Sequence, residues 1–84
     1  MGDETHDASK EHNELAELSK RGYKALRNDR LDEAEECFQQ VLVLEADNTY
    51  ALVGLGDAAR KRGEHRKAIA FYKRCLEHHD TNNY

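Results

Sequence analysis

Proline is missing from all 84 residues, so the strongest helix breaker interrupts nothing along the chain. Cysteine is scarce as well. Cys37 and Cys75 make no disulfide framework, and neither belongs to a CxxC pair, which argues against a structural zinc site. Both fall near apolar positions of helical patterns, where cysteine acts as a small hydrophobe. No apolar run approaches the roughly 18 residues that cross a membrane. The start, Met1-Gly2-Asp3-Glu4, lacks the basic and apolar regions of a signal peptide. These absences lead us to expect a soluble chain in a reducing, cytoplasmic compartment, with no membrane insertion. Only 38% of the residues are hydrophobic while 36% are charged, so the core must be thin and well patterned. Such values suit a layered helical solenoid better than a sphere around one large core.

The net charge of −4 is unevenly spread. Residues 1–48 carry thirteen acidic and six basic side chains, net −7, and residues 49–84 carry four acidic and seven basic, net +3. Attraction between the two halves of one chain is the simplest consequence, and head-to-tail contact between copies is the other. Nucleic acid is not an expected partner, because basic and aromatic residues do not interleave in any recognised pattern.

What is present is a repeat. At an offset of 34, Leu18 matches Leu52, Gly22 matches Gly56 and Ala25 matches Ala59. Ala34 matches Ala68, Leu42 matches Leu76, Asn48 matches Asn82 and Tyr50 matches Tyr84, while Phe38 faces Tyr72. Within each unit the apolar positions fall at helical spacing. Leu15, Leu18, Gly22, Ala25 and Leu26 draw one helix face, and Asn28-Asp29-Arg30 interrupts it. Leu31, Ala34, Phe38, Val41 and Leu42 draw a second face. The other unit repeats the plan with Leu52, Leu55, Gly56 and Ala59, a turn at Arg62-Gly63-Glu64, and then Ala68, Ile69, Tyr72, Cys75 and Leu76. Gly63 suits a helix C′ position in the left-handed conformation. Gly22 and Gly56 lie inside helices, where glycine costs ~1 kcal/mol relative to alanine. The same cost at the same place in both units suggests close helix approach, with Phe38 and Tyr72 as the bulky groups that fill the space.

The spacing of Leu18, Gly22, Ala25, Ala34, Phe38 and Val41 resembles the tetratricopeptide repeat, and Leu52, Leu55, Gly56, Ala59, Ala68, Tyr72 and Cys75 resemble it again. The chain departs from the family pattern at Leu18 and Leu52 (usually Trp), Ala25 and Ala59 (usually Tyr), Arg21 (usually Leu), and Ala46 and Asp80 (usually Pro). The resemblance implies an all-α fold of about four helices, antiparallel helix–turn–helix pairs stacked as a right-handed α-solenoid. The expected division is a polar segment 1–14, a first repeat 15–48, a second repeat 49–82 and the start of a third at 83–84. Thr5, Asp7 and Ser9 are candidate N-caps, with disorder expected to about Asp7 and an extension of the first helix beyond it.

Catalysis is not expected. His78 and His79 point about 100° apart on a helix, and no histidine pair at i, i+4 has a third ligand nearby, so no metal site is expected. Asp32, Glu33, Glu35 and Glu36 fall on a polar face near a helix N-terminus, where negative charge is favoured without any catalytic role. There is no phosphate-binding glycine loop and no serine or cysteine nucleophile with a base, so no cofactor is expected either.

The resemblance further implies a concave groove lined by the first helix of each unit, which takes an extended peptide or a helix of a partner protein. By phase its residues are Ala16, Ser19, Tyr23, Leu26 and Arg27, then Tyr50, Val53, Asp57, Arg60 and Lys61. The lysines and asparagines with which chaperone-tail binders of this family hold a terminal carboxylate are replaced by Ser19, Tyr23 and Gly54, so that specialisation is not expected. A second role is self-association into homodimers through Ile69, Tyr72 and Leu76, the apolar side that a further repeat would cover.

Overall fold

The computed structural model describes the backbone of residues 3–80 and the side chains of residues 13–77. Four helices follow one another: α1 (Asp3–Arg27), α2 (Leu31–Leu44), α3 (Thr49–Arg62) and α4 (His65–Asp80). No strand occurs among the described residues. Helix α2 packs on α1, α3 packs on both, and α4 packs on α3. This is a helical repeat solenoid of two hairpins, as the periodicity predicts. Helix α1 starts at Asp3, within the stretch for which the sequence predicts disorder up to about Asp7. The candidate caps Thr5, Asp7 and Ser9, and the residues Asn82 and Tyr84, lie outside the described side chains.

The turns show how one repeat is laid onto the next. Asp29 closes the first hairpin with φ 62° and Gly63, its equivalent 34 residues on, closes the second with φ 83°. Glycine takes this left-handed conformation without a Cβ penalty, and aspartate is one of the few other residues that tolerate it. The aspartate also gains something glycine cannot offer, because its carboxylate accepts a hydrogen bond from Lys61 Nζ at 3.1 Å. Between the hairpins, Asn48 caps α3 by accepting from the Ala51 N–H at 2.9 Å. Asn48→Ala is expected to cost about 1 kcal/mol, the usual loss for a side-chain N-cap, read as a lower urea midpoint with an unchanged m-value.

The core is one layer of small and large residues in register. Phe38 and Val41 of α2 are fully buried together with Ala34, Ala51 and Ala58, and Leu18, Ala25 and Leu55 are nearly so. The Phe38 ring fills the gap between α1 and α3. A Cβ on Gly22 would lie 2.6 Å from one edge of that ring, and a Cβ on Gly54 would lie 2.4 Å from the other. Tyr72 repeats the insertion against Gly56, again at 2.6 Å. On α3, Ala51, Gly54, Leu55 and Ala58 are buried toward the first repeat. The positions 34 residues earlier on α1 hold Glu17, Lys20, Arg21 and Lys24, all exposed. Cys37 and Cys75 are both buried, as expected of small hydrophobes, and burial pushes the Cys37 thiol above its ordinary range.

The unequal charge of the two halves is used within the chain. Lys61 pairs with Asp29, Arg62 with Asp32 and Glu35, and Arg74 with Asp47. Each partner lies in the acidic first half. Exposed pairs of this kind are weak and screened by salt, yet four contacts of matched sign fix how the second hairpin sits on the first.

Candidate functional site

The residues expected to line a groove come from α1 and α3, and the structure brings the two helices together at one point. The Tyr23 hydroxyl donates to the Tyr50 carbonyl oxygen at 2.5 Å, across the seam between the repeats. The Tyr23 ring meets Phe38 edge-on, with centroids 4.9 Å apart. Burial pushes the Tyr23 hydroxyl up to about 12, and the Asp57 carboxylate adds to the effect, so the group stays a hydrogen-bond donor at neutral pH. Tyr23 is thus a strut between helices as much as a surface group. Tyr50 is the open aromatic, with 69% of its surface exposed.

The other positions divide into surface, seam and core. Ser19 and Val53 are half-buried, and Arg27 and Arg60 are exposed. Ala16 is exposed on the same helix as Ser19. Lys61 is exposed but tied to the seam, donating to Asp29 and, at 3.4 Å, to the Leu26 carbonyl. Asp57 accepts from the Tyr72 hydroxyl and lies 3.7 Å from the Arg60 guanidinium. Leu26 requires a correction. Its side chain is only 6% exposed and belongs to the core cluster, because it sits at the edge of the inward face.

The residues expected to mediate self-association also separate. Ile69 and Leu76 are each 61% exposed on α4. Tyr72 is half-buried, packed on Gly56 and hydrogen-bonded to Asp57, so its ring faces α3 rather than the outer surface. Burial raises the Tyr72 hydroxyl above its ordinary range, and the bond to Asp57 adds to the shift. In the first repeat Leu42, the equivalent of Leu76, is partly buried against the core.

Gly54 escaped the sequence reading as a packing residue. No glycine precedes it by 34 residues, so the repeat gives no signal there. An open depression of about 430 Å³ on α1 was also unforeseen; Ser19, Lys20, Tyr23, Lys24 and Arg27 line it. Among the described residues, no three His, Cys, Asp or Glu side chains gather where they could hold a metal ion. No described helix is long and apolar enough to cross a membrane.

Paired antiparallel helices, inserted rings opposite glycines and a surface free of clustered reactive groups define a helical-repeat scaffold. The tetratricopeptide repeat model matches residues 19–82, and the chain belongs to that family. Repeats of this family generally mediate protein–protein interactions and are non-catalytic scaffolds. Neither comparison with curated proteins nor comparison with solved structures returns a match.

Proposed function

We propose that the chain binds a peptide or helix of a partner protein on the concave face formed by α1 and α3. The observation that carries this reading is the exposed Tyr50 ring, held beside Tyr23 by the hydroxyl–carbonyl bond and flanked by Ser19, Arg27, Val53 and Arg60. Flat amphipathic rings on rigid helices offer contact area at small entropic cost. The test compares Tyr50→Ala/Arg60→Ala with Ile69→Glu/Leu76→Glu in affinity capture with the full-length protein. The first pair of changes is expected to abolish retention of a partner while leaving helicity and oligomeric state unchanged. Retention undiminished by the first pair, or lost only with the second, would refute the groove.

A second reading is favoured by the exposure of Ile69 and Leu76 where the equivalent Leu42 is partly covered. On that reading the outer face of α4 joins two copies. Sedimentation that shows a dimer dissociated by Ile69→Glu would support it, and a monomer at high concentration would remove it.

A further inference from the structure

We propose that the ligand of the α1–α3 face is an acidic peptide segment whose side-chain carboxylates are met by Lys20, Lys24 and Arg27 of α1. This rests on the groove reading above and adds the chemistry of the partner.

The formal charges point elsewhere, since α1 belongs to the acidic half. What decides the matter is which cations are already neutralised. Arg60, Lys61, Arg62, Lys67 and Arg74 of the second repeat all lie against carboxylates, and Arg30 pairs with Glu33. Residues 19–27 hold four cations, Lys20, Arg21, Lys24 and Arg27, and no acid. Among the described residues none of the four has an ion-pair partner. The acids nearest in the fold are engaged elsewhere: Asp29 receives Lys61, and Asp57 receives Tyr72 and Arg60.

Geometry then gathers three of these cations. Lys20, Lys24 and Arg27, spaced four and three residues apart, follow one side of a helix and share the walls of the 430 Å³ depression with Ser19 and Tyr23. Lys20 and Lys24 are separated by about 6 Å of helix rise. Alternate side chains of an extended peptide fall about 7 Å apart on one side, so carboxylates at every second residue come into step with this row. The surroundings limit the length of such a ligand. Glu14 and Glu17 are exposed N-terminal to the row, and Asp32 and Glu36 are exposed on α2. A long polyanion would run into them, whereas a short acidic stretch would not. The positions used for a terminal carboxylate in chaperone-tail binders hold Ser19, Tyr23 and Gly54, so the row addresses side-chain acids.

The test is fluorescence anisotropy on the full chain. The probe is a short labelled peptide in which Asp or Glu alternates with Ser or Tyr, with an amidated C-terminus. The controls are its Asn/Gln counterpart and a labelled single-stranded oligonucleotide. The acidic peptide is expected to bind with salt-sensitive affinity and its amide counterpart not to bind. Lys20→Gln/Lys24→Gln/Arg27→Gln is expected to raise Kd roughly tenfold or more with helicity unchanged. Arg66→Gln/Lys73→Gln on α4 is expected to change nothing. Absence of binding by the acidic peptide, equal binding by the triple variant, or tighter binding of the oligonucleotide each overturns the proposal. If the acidic peptide fails while Tyr50→Ala/Arg60→Ala still abolishes partner capture, the charge assignment falls and the groove stands.

Discussion

Phe38→Ala is expected to leave the chain largely unfolded, or unfolding at a much lower urea midpoint, when followed by far-ultraviolet circular dichroism. The ring is fully buried and contacts both repeats at once, through Gly22 on α1 and Gly54 on α3. Truncating a buried phenylalanine costs about 3–5 kcal/mol when the surroundings cannot collapse into the space. Here they cannot readily do so. The atoms around the cavity belong to helix backbones, and drawing α1 and α3 together would disturb the Tyr23–Tyr50 bond and the Lys61 contacts. At ~0.05–0.15 kcal/mol per residue, a chain of this length has roughly 4–12 kcal/mol of stability in total. The loss is therefore a large part of what exists. A midpoint within error of the parent chain would show that Phe38 is not the joint between the repeats.

The second large effect comes from adding one carbon. Gly54→Ala is expected to lower stability by about 1–3 kcal/mol, the usual range for overpacking a filled core. Two effects oppose each other at this position. Alanine is the better helix former by ~1 kcal/mol. Against that, its methyl carbon would lie 2.4 Å from Phe38 Cε2 and Cζ, far inside van der Waals contact. The ring cannot withdraw, because Gly22 lies equally close to its opposite edge. Steric cost wins, and the sign of the change is the test. In a Phe38→Leu background the same Gly54→Ala change is expected to cost much less, since the atoms it would strike are removed. Additive losses in that double-mutant cycle would show that the two positions are not coupled.

The contrast between these two residues shows what the sequence could reveal. Phe38 was legible because Tyr72 repeats it, and the same holds for Leu18, Ala25 and Ala34 with their partners at the offset of 34. Those residues pack within a hairpin, and each hairpin needs them. Gly54 was not legible because its purpose lies between hairpins: it admits a ring from the preceding repeat. The position before it in the period is Lys20, which has no such ring to admit. Leu26 and Tyr72 were placed on open surfaces for a related reason. Helical phase gives a direction to within some tens of degrees, and both residues lie where a face turns from core to surface. The candidate groove was legible as a set of positions, while its state of charge was not. Net charge by segments counts Lys61, Arg62 and Arg74 as available, and only the fold shows them occupied by Asp29, Asp32, Glu35 and Asp47.

One last consequence concerns the four charged residues of α1 that stand where α3 has Ala51, Gly54, Leu55 and Ala58. A second copy added in register behind the chain would press Glu17, Lys20, Arg21 and Lys24 against Ile69 and Leu76. It would strip water from charges with no partners to receive them, and unpaired charge is among the costliest things to bury. The two flanks of the stack are thus chemically unlike. One is sealed by its charges, and the other remains adhesive to an apolar helix. Growth of such a stack has a direction, like a zip with a stop fixed at one end.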